Sequence, residues 1–591
     1  MTLPRSRDFA LLLLLVLPLS GCGMFHSGTN PPINGSGSLV LTVIWTGNRG
    51  DPSSPHAVRV TLYRADKLIQ DVVLSRADTP STGWTAQLES GTYRLQLAVY
   101  NNQNAIGTPV ASGDITVQIV QDTPQRLNVA TGGTPVALAI LPEVVTLTPG
   151  QILPLSVLGV DAQGRYLLLP AGTVVRWSVS DSNVVNLQSD GVARALAPGS
   201  VAVTASVDSL GLSANASVGV QTVTREWTIL VFMNAANNLE PDSVDDMNEM
   251  EQLGSTADVN IVVQWKQANC VTCGSPDWVG TRRYYITRDN NPTQVTSPVV
   301  QELGQNVDMG DWRELRNFIV WAQERYPAER HALVVWNHGA GWRITRDNKL
   351  GMIPRSVSID DHTRNEIQVW QLPQALNVNP QVDMLIFDAS LMQMIEVAYE
   401  VRNATSIMVG SEESPPGEGY VYNAFLVDLV GNPGITPAQF GAKIVQRTFE
   451  QYGYNGDNTQ SAVDLSKMET VKDRLNDFAL RLLARGPSEP DLVRDARQNA
   501  ESYAYPENKD LWDYADRIAN GTGFADLRTA ARGLQSAIEA AVIANEAGRL
   551  NRNSHGLSVY VPTPTAYLTS YANLAITRVT SWDEWLQAQP R

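Results

Sequence analysis

A chain of 591 residues is longer than one hydrophobic core usually organises, so several domains are expected. Its 43% apolar and 18% charged residues describe folded, globular material rather than disorder. A net charge of −16 argues against nucleic acid as a partner, because a phosphate backbone is met by basic patches. Beyond the N-terminus no apolar run is long enough to span a bilayer.

Residues 1–22 have the layout of a secretory signal peptide: Arg5 and Arg7, then "LLLLLVLPLS", then Gly21-Cys22. The ending "LSGC" resembles a bacterial lipoprotein box, which implies that Cys22 becomes the lipidated first residue of the mature protein and ties it to a membrane. Gly23 rather than Asp after that cysteine implies, by the same resemblance, the outer membrane. A Gly/Ser/Pro/Asn tether follows over 23–37.

Period-two alternation begins next. Val58, Val60 and Leu62 fall on one face of a strand, as do Tyr93, Leu95, Leu97 and Val99 of another, so 38–132 is read as a β-sandwich closed by "ATGGTP". Over 133–222, "VVRWSVSDSNVVNLQSDGVARALAPGSVAVTASV" resembles bacterial immunoglobulin-like repeats, with Trp177 as the expected core residue. Such modules act as spacers or stalks.

From 223 the pattern changes. "WTILVFM", "VNIVVQW", "HALVVW", "DMLIFDA" and "TSIMVGS" are apolar throughout and alternate with helical stretches such as "DWRELRNFIVWAQERY". Strands without a polar face belong to a parallel sheet covered on both sides. The part from 466 to 591 reads as mostly helical, with "HGLSVYVPT" expected to rejoin the sheet.

Reacting groups in such sheets gather at the carboxyl ends of strands. "HALVVW" runs into Asn337-His338-Gly339, and "DMLIFDA" runs into Ser390, so a base and a hydroxyl stand at two strand ends. Ser390-Leu391-Met392-Gln393 also fits an S-x-x-Q capping box, which gives Ser390 a purely structural use at a helix start. Cys270 and Cys273 make only half a zinc site, and in an exported protein a short disulfide is the plainer reading.

At these residues a specific resemblance emerges. "WTILVFMNAANNLE", "YPAERHALVVWNHGAGW", "MLIFDASLMQMIEVAYEV", "VGSEESPPGEGYVY" and "QSAVDLSK" are similar, in order, to motifs of the clostripain family of cysteine peptidases. The resemblance implies a caspase-like α/β fold and a His/Cys dyad cleaving after basic residues, with His338 as the histidine; for an active enzyme, backbone N–H near Gly339 is the expected oxyanion donor. Where the family reads D-A-C-L-M this chain has Asp388-Ala389-Ser390-Leu391-Met392, so the nucleophile position holds serine. Ala236 stands where the family tends to have Asp, so the calcium dependence of some relatives is not carried over and no cofactor or metal is expected.

The exchange changes the chemistry. A thiol beside histidine ionises near neutrality, whereas a hydroxyl must lose its proton during attack to a base that a carboxylate orients. Losing a matched nucleophile costs about 10⁴ to 10⁶ in rate. The expected protein is therefore an inactive or very weak peptidase homologue that binds basic peptide segments. The alternative is an active endopeptidase with a Ser390/His338 dyad. Asp388, Glu412, Glu413 and Glu418 are the expected acidic lining for an Arg or Lys side chain.

Overall fold

The computed structural model describes residues 36–590 except 65, 66, 171, 275 and 344–355. Cys22 and the signal peptide lie outside the described residues, as does most of the expected tether, whose last two residues already belong to a strand, Ser36–Ile44. Among the described residues no helix is long and apolar enough to cross a membrane.

The chain forms two compact units, one of residues up to 139 with 157–173, the other of 140–156 with 174–591. In the first, a four-stranded sheet (Lys67–Ser75, Ala57–Arg64, Gly91–Tyr100, Ala111–Ile119) accompanies a six-stranded one. The alternation holds: Val58, Val60, Leu62, Tyr93, Leu95, Leu97 and Val99 are all buried. The division expected at 132/133 does not coincide with the sheet boundary. Tyr166–Leu167, beyond that division, extends the first unit's larger sheet, Tyr166 lying opposite Val129 in parallel register. A pairing between distant segments leaves no local pattern from which to read it.

The second unit begins with two small sheets from the immunoglobulin-like stretch, Arg176–Val179, Gly199–Val207, Leu212–Val220 and Val144–Leu147 in one and Ile152–Pro154, Val192–Ala195 and Val185–Leu187 in the other. Trp177 is only half-buried there, its ring against Gly191, so it is not the central core residue the motif implied.

A nine-stranded sheet carries the rest, in the order Val299–Gly304, Gly280–Tyr285, Val259–Gln267, Arg225–Ala235, Ala328–Trp336, Met384–Asp388, Ile407–Gly410, Thr459–Asp464, Val542–Ala547. The five central strands are parallel, and two antiparallel strands flank them on each side. Their lack of a polar face has a direct cause. Leu230, Phe232, Leu333 and Val335 pack into one core, while Ile229, Val231, Ala332 and Val334 pack into another across the sheet. The helix expected from "DWRELRNFIVWAQERY" is Trp312–Arg325, with Asp311 as N-cap accepting from Arg313 N–H. The late strand differs from expectation. Ser558–Tyr560 pairs with Asn508–Asp510 in a separate ribbon, and Val542–Ala547 closes the main sheet directly after the helix Ala525–Ala541.

Candidate active site

Two adjacent parallel strands end level with each other. Trp336 pairs with Asp388 in register, and Asn337 N–H donates to the Asp388 carbonyl at 3.1 Å. His338 and Ser390 each follow two residues later, so the register alone puts them side by side at the sheet's carboxyl edge. Gly339 lets the chain cross there: a Cβ on it would collide with the Ser390 carbonyl oxygen. Beneath, Asn337 is clamped by its own amide, donating to the Ile359 carbonyl at 3.1 Å and accepting from Ile359 N–H at 2.8 Å.

Ser390 does not cap a helix. Leu391 sits in the left-handed region at φ 62°, its N–H donating to the Glu413 carbonyl at 3.2 Å, and Gln393 N–H donates to the Ser411 carbonyl at 3.1 Å. The helix starts only at Ile395, with Met394 as N-cap and no side-chain cap. Backbone bonding to the next strand's continuation thus overrides the S-x-x-Q pattern. Ser390 is left half-buried at a cavity instead.

That cavity, of about 210 Å³, is lined by His338, Ser390 and Asp388, with Leu239 and the turn around Pro415–Gly417 among its other walls. His338 Nε2 lies 2.8 Å from Asn238 Oδ1, so an amide oxygen meets that ring nitrogen.

The cavity floor is a buried acidic group. Asp388 accepts from Tyr422 O–H at 2.9 Å and Tyr420 N–H at 3.2 Å. Burial pushes its carboxyl up to about 7, the two tyrosine bonds pulling it partly back and Glu249 adding to the rise. Asp246, bonded to Trp336 Nε1 at 2.6 Å, is pushed well above the usual range by burial and by the charge of Asp388. Glu249 accepts from Tyr422 N–H at 2.7 Å, and its burial raises it to about 7. Taking like charges out of water makes each ionisation costly until a cation arrives.

The other expected acidic residues are not in this lining. Glu412 is buried elsewhere, accepting from Gly556 N–H at 3.1 Å and held well above the usual carboxyl range by burial and Asp510. Glu413 accepts from Ser414 N–H at 2.7 Å and Ala504 N–H at 3.1 Å, which ties loops together. Glu418 is exposed, its charge felt by Asp242. Cys270 and Cys273 are joined by a disulfide, and neither lines the His338 cavity. Sequence reasoning missed Asn238, Asp246 and Glu249. The available signal was the spacing of Asp242, Asp246 and Glu249, which share one face of the helix Glu240–Leu253.

An α/β sheet with a parallel centre that brings a histidine and a hydroxyl to neighbouring strand ends, beside a buried carboxyl, is the layout of a hydrolase-type site. A clostripain family model matches residues 231–588, more than half of the chain, and the chain belongs to that family. It is similar to clostripain of Hathewaya histolytica, 23% identical over 419 residues, covering 60% of this chain and 78% of the relative. Among solved structures it is similar to a secreted C11 cysteine protease from Bacteroides thetaiotaomicron (18% identity, 61% of this chain and 99% of that one, TM-score 0.46). A second is an inactive zymogen C11 protease from Parabacteroides distasonis (19% identity, 61% and 100%, TM-score 0.47).

Proposed function

We propose that this chain is an envelope-anchored member of the family, lipidated at Cys22 and carried on β-domains, that holds Arg- or Lys-bearing peptide segments and cleaves them very slowly or not at all. Ser390 takes the place of the family's cysteine, and the rest of the domain keeps its caspase-like plan. The observation that carries the reading is that Ser390 lines one cavity with His338, whose Nε2 meets the Asn238 amide oxygen, and with the buried carboxyl of Asp388. The nucleophile is the weaker one, while the acidic floor suited to a guanidinium or ammonium is retained. Binding of Arg-ended peptides tests it. Affinity should fall with salt and drop about tenfold or more in Asp388→Asn, and affinity indifferent to both would refute the acidic pocket.

A second reading has its own support, because Ser390 is not engaged as a helix cap and lines the same cavity as His338. In it Ser390 attacks the carbonyl carbon, His338 takes the hydroxyl proton and later gives it to the leaving amine, and backbone N–H near Gly339 receives the oxyanion. Turnover of Arg-containing peptides that vanishes in both Ser390→Ala and His338→Ala would establish it.

A further inference from the structure

A second cavity, of about 670 Å³, shares a stretch of chain with the first: Leu239 lines the His338 cavity, and the next residue, Glu240, lines this one. One wall is aromatic. Trp278 stands edge-on to Trp265 with centroids 5.1 Å apart, and Tyr284 tilts against Trp265 at 5.7 Å. The lining also offers oxygen. Glu240 is buried, accepts from Gln267 Nε2 at 3.1 Å, and has its carboxyl raised by burial and by the charge of Asp277. The other end of that amide, Gln267 Oε1, has no hydrogen-bond partner although Gln267 is only 1% exposed. Asp277 is exposed at the rim.

These groups ask for a particular ligand. Among the described residues no basic side chain pairs with Glu240 or Asp277, and Arg282, the basic residue of the lining, is engaged by Glu302 at 2.9 Å and stacks 4.2 Å from the Trp278 centroid. Two carboxyls beside aromatic rings attract a cation. A quaternary ammonium would satisfy the rings and charges but leave Gln267 Oε1 orphaned, since it has no N–H to give. A protonated amine or guanidinium satisfies all three.

We propose that this cavity is a second subsite, taking a Lys or Arg side chain of the same peptide whose basic residue enters the Asp388 cavity. The inference rests on the basic-peptide reading above. It makes segments with two basic residues the preferred ligands.

The test is a ladder of labelled peptides ending in Arg, with one Lys moved through successive upstream positions, measured by fluorescence anisotropy on the full exported chain. One position should tighten binding by about 2- to 30-fold over the single-Arg peptide. That gain should vanish in Trp278→Ala and in the exposed variant Asp277→Lys, which brings its own cation, with single-Arg affinity unchanged. Asp388→Asn should weaken every peptide. A single-Arg peptide that binds with no gain at any position overturns the subsite alone, as does a gain that survives both variants. A single-Arg peptide that fails to bind overturns the basic-peptide reading and the subsite with it.

Discussion

His338 Nε2 and Asn238 Oδ1 lie 2.8 Å apart across 100 residues of sequence. An amide oxygen only accepts, so Nε2 carries the proton and Nδ1 is the basic nitrogen of the neutral ring. The amide oxygen holds the proton on Nε2, yet it cannot stabilise an imidazolium as a carboxylate does. Asn238→Asp should therefore raise hydrolysis of Arg peptides by Ser390 at least about tenfold, within the roughly 10⁴ that a triad carboxylate contributes. Initial rates measured against Ser390→Ala check this. No gain in a folded Asn238→Asp protein would show that stabilisation of the His338 imidazolium is not what limits the serine.

Ser390→Cys should gain cleavage after Arg or Lys that thiol alkylation abolishes, with wild type far slower. The helix begins five residues later, at Ile395, so activation of the thiol falls to His338 rather than to a helix terminus. Replacing Cys270 and Cys273 in the same background confines alkylation to position 390. A folded but inert variant would mean that the site has lost more than its nucleophile.

Affinity for basic peptides should rise with pH through about 7, because Asp388 and Glu249, both raised to about 7, are neutral below that range and charged above it. Stability of the free protein runs the other way. A carboxyl raised on folding binds its proton more tightly in the native state, so its contribution is present at low pH and is lost as pH climbs through the folded value. Between about pH 5 and about pH 8 the urea midpoint should fall in wild type and fall less in Asp388→Asn. Peptide titrations across the same range should show the opposite slope. Affinity that is flat with pH would mean that these carboxyls are ionised throughout.

The strand-end pair was legible because it rests on two local signals, apolar runs and what directly follows them. His338 and Ser390 follow strands whose registered ends, Trp336 and Asp388, are level. Asn238, Asp246 and Glu249 were not legible. Their place in the site comes from the folding of the helix Glu240–Leu253 against the sheet, and its buried acids contradict the rule that charged residues stay outside. Glu412 and Glu413 failed for the opposite reason: an acidic run after a strand suggested a lining, but both carboxylates bond to neighbouring loops. The strand Val542–Ala547 follows its helix without a Gly or Pro break, so only the β-branched pair Val542-Ile543 hinted at the change.

The loop bearing His338 should depend on a buried ion pair that does not line the cavity. Lys266 Nζ lies 2.6 Å from Asp360 Oδ2, and both side chains are fully buried. The ammonium also donates to the Val307 carbonyl at 2.6 Å, while the carboxylate accepts from Met309 N–H and Thr363 N–H, each at 3.0 Å. Asp360 ends the short strand Val357–Asp360, whose Val357 bridges Gly339 and whose Ile359 clamps Asn337. Removing one partner leaves a buried charge without its counter-ion, which costs about 3–5 kcal/mol. Lys266→Met should lower stability to urea by that order and speed amide hydrogen exchange at Asn337–Ala340. In Lys266→Met/Asp360→Leu, where no charge is stranded, much of the stability should return. The strand's side-chain hydrogen bonds to Met309 and Thr363 would still be missing, so exchange in the His338 loop should stay faster than in wild type. Unchanged exchange in both variants would show that the strand Val357–Asp360 does not hold the histidine in place.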